Sequence, residues 1–221
     1  MVIRGYSAEQ MRAAEQPHLA AGEPLMQRAA AGLADEVRSA LPVGEGRVLL
    51  LVGSGNNGAD TMYAGAELAA GGADVAIVST GPRVYEEALT AALTAGAHVE
   101  PATEAGRLAA SAHVVVDGIL GTGTSANAAL RGNARAIVQS ILGVTPRPFV
   151  VAVDIPSGID PNDGSVPDPV VLPAEVTVTF GGYKAGLLLP PAAALAGRVR
   201  VIDIGLGPDL DALEPTVTLP G

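Results

Sequence analysis

Short apolar runs alternate with longer amphipathic stretches along most of the chain. The runs Arg47–Val52 and Phe149–Val153 are apolar almost throughout, which is typical of strands covered on both faces of a parallel sheet. Between such runs, apolar residues recur at helical spacing, as in Pro24–Ala40. Strands that alternate with helices predict βαβ units. The pattern therefore predicts an α/β domain with a doubly wound, mainly parallel sheet and helices on both faces.

The same pattern predicts the order of the elements. Helices are expected at residues 7–16, 24–40, 57–71, 83–96, 105–112 and 132–143. Strands are expected at residues 47–52, 74–79, 99–100, 113–116, 149–153, 175–180 and 198–204, the last ones at a sheet edge. We expect a single domain made of N-terminal helices 7–40, an α/β core 46–207 and a tail 208–221. The tail is acidic, contains proline and lacks a core pattern, so we expect it to be mobile.

Composition excludes several classes of function. The 221 residues include 23 acidic and 13 basic ones, and the formal net charge of −10 argues against a nucleic-acid binder or an electrostatic membrane anchor. Cysteine is absent, which excludes disulfides, thiolate catalysis and cysteine-based metal sites. The three histidines are scattered. The N-terminus lacks the apolar segment of a signal peptide, so we expect a cytoplasmic protein.

Carboxylates follow three of the predicted strands. The first strand leads into GSGNNGAD, which ends at Asp60; VVV is followed by Asp117 and GILGTGTS, and FVVAV by Asp154 and IPSGID. Ligands of open α/β sheets bind beyond the carboxyl ends of the strands. Any one of these aspartates could serve only a local turn. Three of them at one edge of the sheet predict a ligand site.

The loop after the first strand contains a G-x-G-x-x-G pattern, which alone is weak evidence for a dinucleotide site. The next strand lacks the expected ribose-binding acid, although Arg83 nearby keeps an NADP-dependent oxidoreductase open as an alternative. Asn56 and Asn57 add side-chain oxygens and amide donors, and Asp60 would repel a pyrophosphate at the helix N-terminus. The loop is therefore better suited to a polar ligand or a cation.

A cation is one interpretation of these strand-end loops. Asn57, Asp117 and Ser157 lie on three different loops and offer one oxygen each. Hard cations take such oxygens, and backbone carbonyls of the turn Gly121–Gly123 would complete the ligand shell. Spacing alone does not identify the ion.

Taken together, these segments resemble the NAD(P)H-hydrate epimerase family, also called the YjeF N-terminal domain. The matching motifs are SAEQMRAAEQ, PLMQRAAAGLADEV, VGSGNNGAD, VVDGILGTGT with LRGN, VAVDIPSGID, VTFGGYKAGLLLP and GRVRVIDIGLG. They occur in the family's order and cover nearly the whole chain. The resemblance implies a Rossmann-like domain that interconverts the R and S forms of hydrated NADH and NADPH. Where the family usually reads N-N-G-G-D-G, this chain has Ala59 and Thr61.

The resemblance also implies roles for individual residues. It implies a potassium ion (K+) on Asn57, Asp117 and Ser157, and a homodimer. The family's larger members continue into a dehydratase domain, which leaves open whether this chain acts with a separate NAD(P)H-hydrate dehydratase or was cut from a longer chain. Substrate contacts are implied for Asn56, Asn57, Gly58, Ala59, Asp60, Gly121, Thr122, Gly123, Thr124, Ser125, Ala126, Asn127 and Asp154.

The chemistry of the substrate suggests a role for one aspartate. Carbon C6 of the hydrated nicotinamide carries a hydroxyl next to the ring nitrogen, so inversion needs that hydroxyl to leave, or the ring to open, before the bond reforms on the other face. We hypothesise that Asp154 protonates the leaving hydroxyl and that its conjugate base then activates water. Lys184 is either a ligand of a substrate phosphate or a solvated loop lysine. A non-catalytic nucleotide-binding or scaffold protein of the same fold remains the alternative.

Overall fold

The computed structural model describes residues 2–44, 46–123 and 127–221. The strands in these ranges are β1 (Val2–Tyr6), β2 (Arg47–Val52), β3 (Asp74–Ser79), β4 (His98–Val99), β5 (Val114–Gly118), β6 (Phe149–Val153), β7 (Val176–Phe180), β8 (Tyr183–Lys184), β9 (Arg198–Ile202) and β10 (Val217–Pro220). The α-helices are α1 (Ala8–Ala20), α2 (Leu25–Ala40), α3 (Asn56–Ala70), α4 (Glu86–Thr94), α5 (Ala105–Ser111), α6 (Gly132–Leu142), α7 (Ala192–Leu195) and α8 (Gly207–Asp211). None of the described helices is long and apolar enough to cross a membrane.

Seven strands form one sheet in the order β4-β3-β2-β5-β6-β7-β9, and every neighbouring pair is parallel. The chain runs outward from β2 to β4 and then returns to β5, so the strand order reverses between β2 and β5. Such a switch point opens a crevice at the carboxyl edge of the sheet. The predicted doubly wound sheet is confirmed, as is the position of β9 at its edge.

The apolar strands have helices on both faces. Within β2, Leu50 packs in one cluster with Leu33 of α2, whereas Leu49 and Leu51 pack in a second cluster with Ile137 of α6. Successive side chains of a strand point to opposite faces, so an all-apolar run fits only a sheet that is covered twice. This burial explains why the apolar runs predict β2 and β6 with their observed bounds.

The two ends of the chain form a second sheet that the sequence pattern does not predict. The first strand, β1, pairs antiparallel with β10 and parallel with β8. Residues 208–221, which we expected to form a mobile tail, contain most of α8 and all of β10, and Leu210 is buried. These strands are short and pair with distant parts of the chain, so a local pattern does not indicate them.

Helix α1 continues through Pro17 to Ala20 instead of ending at Gln16. Proline inside a helix removes one backbone hydrogen bond. Contacts beyond that point hold the last turn, since the His18 ring lies 2.8 Å from a Glu23 carboxylate oxygen and 2.9 Å from an Asp209 carboxylate oxygen. Tertiary contacts therefore extend the helix past its predicted end.

Candidate active site

The glycine-rich loop after β2 crosses closely over the loop after β5. A Cβ atom added to Gly53 would lie 1.9 Å from the carbonyl oxygen of Ile119, and the Gly53 amide donates to the Gly118 carbonyl at 3.1 Å. Only glycine permits such an approach of two backbones. Gly53, the first glycine of the G-x-G-x-x-G pattern, is therefore needed where two loops of the protein pack against each other.

The structure brings the side chains of Asn57, Asp117 and Ser157 together beneath this crossing. Ser157 Oγ donates to Asp117 Oδ1 at 2.7 Å, and the Ser157 amide donates to Asp117 Oδ2 at 2.9 Å. Asn57 Nδ2 donates to the carbonyl oxygens of Val153 at 2.7 Å and Leu120 at 3.0 Å. Ser157 Oγ also lies 3.3 Å from the Leu120 oxygen, which connects the three side chains into one cluster.

The donor set of this cluster fits a potassium ion. Asp117 is completely buried, and burial raises the pKa of its carboxyl group against the opposing effect of the Ser157 and Ile119 hydrogen bonds. Among the described residues, no arginine or lysine forms a salt bridge with it. A bound cation would therefore compensate its charge. Among the described residues, no group of three or more acidic or histidine side chains is arranged to hold a metal ion, so carbonyl, amide and hydroxyl oxygens would supply the remaining ligands.

Asp154 directly follows β6 in a strained conformation, and its side chain is tightly held. It is the one described non-glycine residue with a positive φ, 66°, a conformation that costs roughly 1–3 kcal/mol and persists where the surroundings enforce it. Its carboxylate forms an ion pair with Lys184 and accepts a hydrogen bond from Thr179 Oγ1 at 3.1 Å. Its amide donates to the Val178 carbonyl at 2.7 Å. Contacts with β7 and β8 therefore fix this aspartate in place.

Lys184 is buried next to Asp154. The side chain is 2% exposed, so it is not a solvated loop lysine. Its Nζ donates to the Phe180 carbonyl at 2.8 Å and contacts the Asp154 carboxylate, and Lys184 does not line the cleft described next. Its geometry therefore supports a role in positioning Asp154 and does not support contact with a substrate phosphate.

A cleft of about 750 Å³ opens at the switch point of the sheet. Its volume is typical of a small-molecule site. The predicted site residues on its wall are Asn56, Asn57, Asp60, Gly121, Thr122, Gly123, Asn127 and Asp154. Gly58 and Ala59 are buried in α3 outside the wall, and residues Thr124, Ser125 and Ala126 lie outside the described ranges.

The N-terminal helix supplies cleft residues that the strand-end argument does not identify. Arg12 and Glu15 of α1 line the cleft, and an Arg12 guanidinium nitrogen donates to the Thr122 carbonyl at 3.3 Å. Burial raises the pKa of Glu15. The sequence contains one sign of this position of Glu15. Glu15 follows the core residue Met11 by one helical turn, so both side chains lie on the same side of α1.

Arg83, on which the NADP-dependent alternative depends, is not among the described residues that line the cleft. Thr80, directly after β3, lines the cleft, whereas Arg83 does not. The structure therefore gives no support to the oxidoreductase alternative, which depended on Arg83.

The two departures from the family's motif lie in the core and not on the cleft wall. Ala59 is completely buried in α3. Thr61 Oγ1 donates to the Asn57 carbonyl at 2.6 Å and packs against Gly118, where an added Cβ would lie 1.9 Å from that oxygen. Neither side chain narrows the cleft.

Comparisons with known proteins agree with this architecture. Residues 22–186 match the family model described as the YjeF-related protein N-terminus. The NAD(P)H-hydrate epimerase of Clavibacter sepedonicus is 51% identical, with 97% of this chain and 95% of that protein covered. The corresponding protein of Clavibacter michiganensis is 48% identical, with 98% and 96% covered.

Two further relatives show the extent of the likeness. The bifunctional NAD(P)H-hydrate repair enzyme Nnr of Mycobacterium tuberculosis is 39% identical, and the match covers 91% of this chain but 41% of that longer protein. The crystal structure of the yeast protein YNL200c shares the fold, with a TM-score of 0.72 at 19% identity and 83% of each chain covered. With the family model and both Clavibacter proteins in agreement over most of its length, the chain belongs to the NAD(P)H-hydrate epimerase family.

Proposed function

We propose that this chain interconverts the R and S forms of hydrated NADH and NADPH. The observation that carries the proposal is the position of Asp154, which Lys184 and Thr179 hold at the wall of a cleft of about 750 Å³. The full-length likeness to NAD(P)H-hydrate epimerases supports the choice of substrate. The protein is accordingly an isomerase that repairs a damaged cofactor.

The reaction requires proton transfer at the oxygen on C6. When that hydroxyl leaves as water, the electron pair of the ring nitrogen forms a planar iminium ion, and water can then add to either face. A side chain that protonates the departing hydroxyl and deprotonates the incoming water typically contributes about 10²–10⁴-fold to the rate. Asp154 is the residue we assign to this proton transfer, and Lys184 positions its carboxylate.

Substrate contacts follow from the walls of the cleft. Asn56, Asp60, the turn Gly121–Gly123 and Asn127 surround the space next to Asp154 and offer amide, carboxyl and backbone groups. Such groups suit the hydroxyl and amide groups of a nucleotide. Because Ala59 and Thr61 are packed in the core, we expect their departure from the family's motif to leave these contacts intact.

A potassium ion belongs to the proposal. Asn57, Asp117 and Ser157, with the carbonyl oxygens of Leu120 and Val153, would hold it. For Asn57 to serve as a ligand, its side-chain amide turns over so that Oδ1 replaces Nδ2. When bound, the ion supplies a positive charge next to Asp117 and joins the loops that carry the site.

An epimer-exchange assay tests the proposed function. Pure R-hydrate of NADPH is incubated with the protein, with and without potassium chloride, and the S form is measured by chromatography against the spontaneous rate. We expect acceleration by the wild type and loss of that acceleration in Asp154→Asn. A folded wild-type protein that binds NADPH without accelerating the exchange would instead support the non-catalytic binding or scaffold protein.

The remaining expectations concern the cellular compartment, the oligomeric state and a partner enzyme. We propose that the protein acts in the cytoplasm as a homodimer, together with a separate dehydratase. The bifunctional relative, in which this domain makes up 41% of the chain, supports a functional link with a second activity. Gel filtration with light scattering tests the dimer.

A further inference from the structure

A second buried carboxyl group lines the cleft beside Asp154. Asp60, on the first turns of α3, is 8% exposed and belongs to the cleft wall. Its Oδ1 is buried and has no hydrogen-bond partner among the described residues. Buried polar atoms without a partner are rare in proteins, and a catalytic role is one explanation for such an atom in a residue of a cleft wall.

The surroundings of Asp60 and Asp154 differ. Asp154 has a buried ammonium group and a hydroxyl group as partners, whereas Oδ1 of Asp60 has neither. Burial raises the pKa of Asp60 well above its ordinary value, and the nearby charges of Asp154 and Glu15 raise it further against the opposing effect of Lys184. Two carboxyl groups in unlike surroundings can take up opposite roles in acid–base chemistry.

We propose that Asp60 is a second catalytic residue, which delivers a proton to the departing C6 hydroxyl while the Asp154 carboxylate takes a proton from the incoming water. This inference rests on the proposed function and divides between two residues the proton transfer that Asp154 would otherwise perform alone.

The proposed step balances in atoms and electrons. The proton of the Asp60 carboxylic acid joins the C6 hydroxyl oxygen, the C–O bond breaks, and water leaves. The electron pair of the ring nitrogen forms the N=C6 bond of the iminium ion. Water then adds to the opposite face, the N=C6 pair returns to nitrogen, and Asp154 receives the surplus proton. Asp60 is left ionised, and exchange of one proton between the two carboxyl groups through water in the cleft restores the starting state.

The first test replaces Asp60 with an isosteric side chain that cannot act as an acid. We expect Asp60→Asn to lower kcat about 10²–10⁴-fold, a loss much larger than any weakening of NADPH binding by the same variant. The matched control is Asp35→Asn, an exposed aspartate of α2 far outside the cleft wall, which should keep the wild-type rate.

The pH profile separates an acid from a merely structural residue. The wild-type rate should fall on the alkaline side as Asp60 loses its proton, and Asp60→Asn should lack this fall. In Asp60→Ala, which leaves room for a small acid, added formate should restore part of the rate, whereas formate should not stimulate Asp154→Asn. Because the recovery by formate is measured in Asp60→Ala, this test remains available even if Asp60→Asn folds poorly.

The outcomes distinguish this inference from the proposed function. If the wild type is inactive, the proposed function fails. If the wild type and Asp60→Asn show similar rates and the same alkaline fall, only the role of Asp60 fails. A rate loss in Asp60→Asn that only follows its loss of NADPH binding, together with no recovery by formate in Asp60→Ala, would also overturn it, because Asp60 would then serve binding alone.

Discussion

The ammonium group of Lys184 forms a buried ion pair with the carboxylate of Asp154, behind the wall of the cleft. Lys184 is the one lysine in the sequence, whereas all other basic side chains besides histidine are arginines. A compact ammonium group fits a narrow buried site, and a planar guanidinium group does not replace it in the same geometry.

Removal of one partner of this ion pair should destabilise the protein more than removal of both. Lys184→Met leaves a buried carboxylate unpaired, which typically costs about 3–5 kcal/mol of unfolding free energy. The double variant Lys184→Met/Asp154→Asn should recover much of that loss, because no buried charge is left over. Urea unfolding of the two single variants and the double variant gives the coupling energy. Additive losses would show that the two groups do not interact.

Asp60 should make the stability of the protein depend on pH. Its pKa is raised in the folded protein, so the folded state binds more protons than the unfolded state between the ordinary aspartate value, about 3.9, and the raised value. Unfolding free energy should therefore fall as the pH rises through this window. Asp60→Asn should remove this pH dependence. The unfolding free energy of the variant relative to that of the wild type should therefore rise with pH. Equal pH dependence of both proteins in urea titrations would contradict this.

Potassium should stabilise the wild type beyond the effect of ionic strength. We expect a higher Tm in potassium chloride than in tetramethylammonium chloride of equal concentration, because binding to the folded state alone adds stability. Ser157→Ala should lose this difference, and should also cost about 1–3 kcal/mol because it removes hydroxyl contacts with Asp117 and Leu120. Ser39→Ala, at an exposed position of α2, is the matched control.

A substitution of Gly118 should be tolerated only when Thr61 is replaced by a smaller residue. An added methyl group at position 118 meets Thr61 Oγ1 at 1.9 Å, and such overpacking typically costs about 1–3 kcal/mol. Thr61→Gly should relieve most of that cost in the double variant with Gly118→Ala. Thermal unfolding of the two single variants and the double variant measures the recovery. A Gly118→Ala protein as stable as the wild type would show that α3 and β5 have room for the added methyl group.

The sequence predicts those parts of the fold that a local pattern determines. The strands β2, β3 and β6 have their predicted bounds because runs of buried apolar side chains occur only where both faces are covered. Asn57, Asp117 and Ser157 come together as expected, because their loops leave the same edge of a parallel sheet. Helix α4 spans Glu86–Thr94 and is shorter than the predicted 83–96 at both ends.

Other features depend on contacts between distant parts of the chain. The residues next to Lys184 in the sequence do not indicate that its side chain is buried in an ion pair with Asp154. The one hint is that Lys184 is the single lysine of the sequence. The contribution of Glu15 to the cleft depends on how α1 packs across the sheet edge. The pairing of β1 with β10 joins residues from opposite ends of the chain, which a local pattern cannot indicate.

That pairing places the two ends of the chain side by side, with Val2 opposite Pro220. A short glycine–serine linker can therefore connect them, and new ends can be opened between Val43, which is fully exposed, and Gly44. Such a circular permutation keeps every strand of the seven-stranded sheet intact. It would let a reporter be attached to the amino end of β2, across the sheet from the cleft.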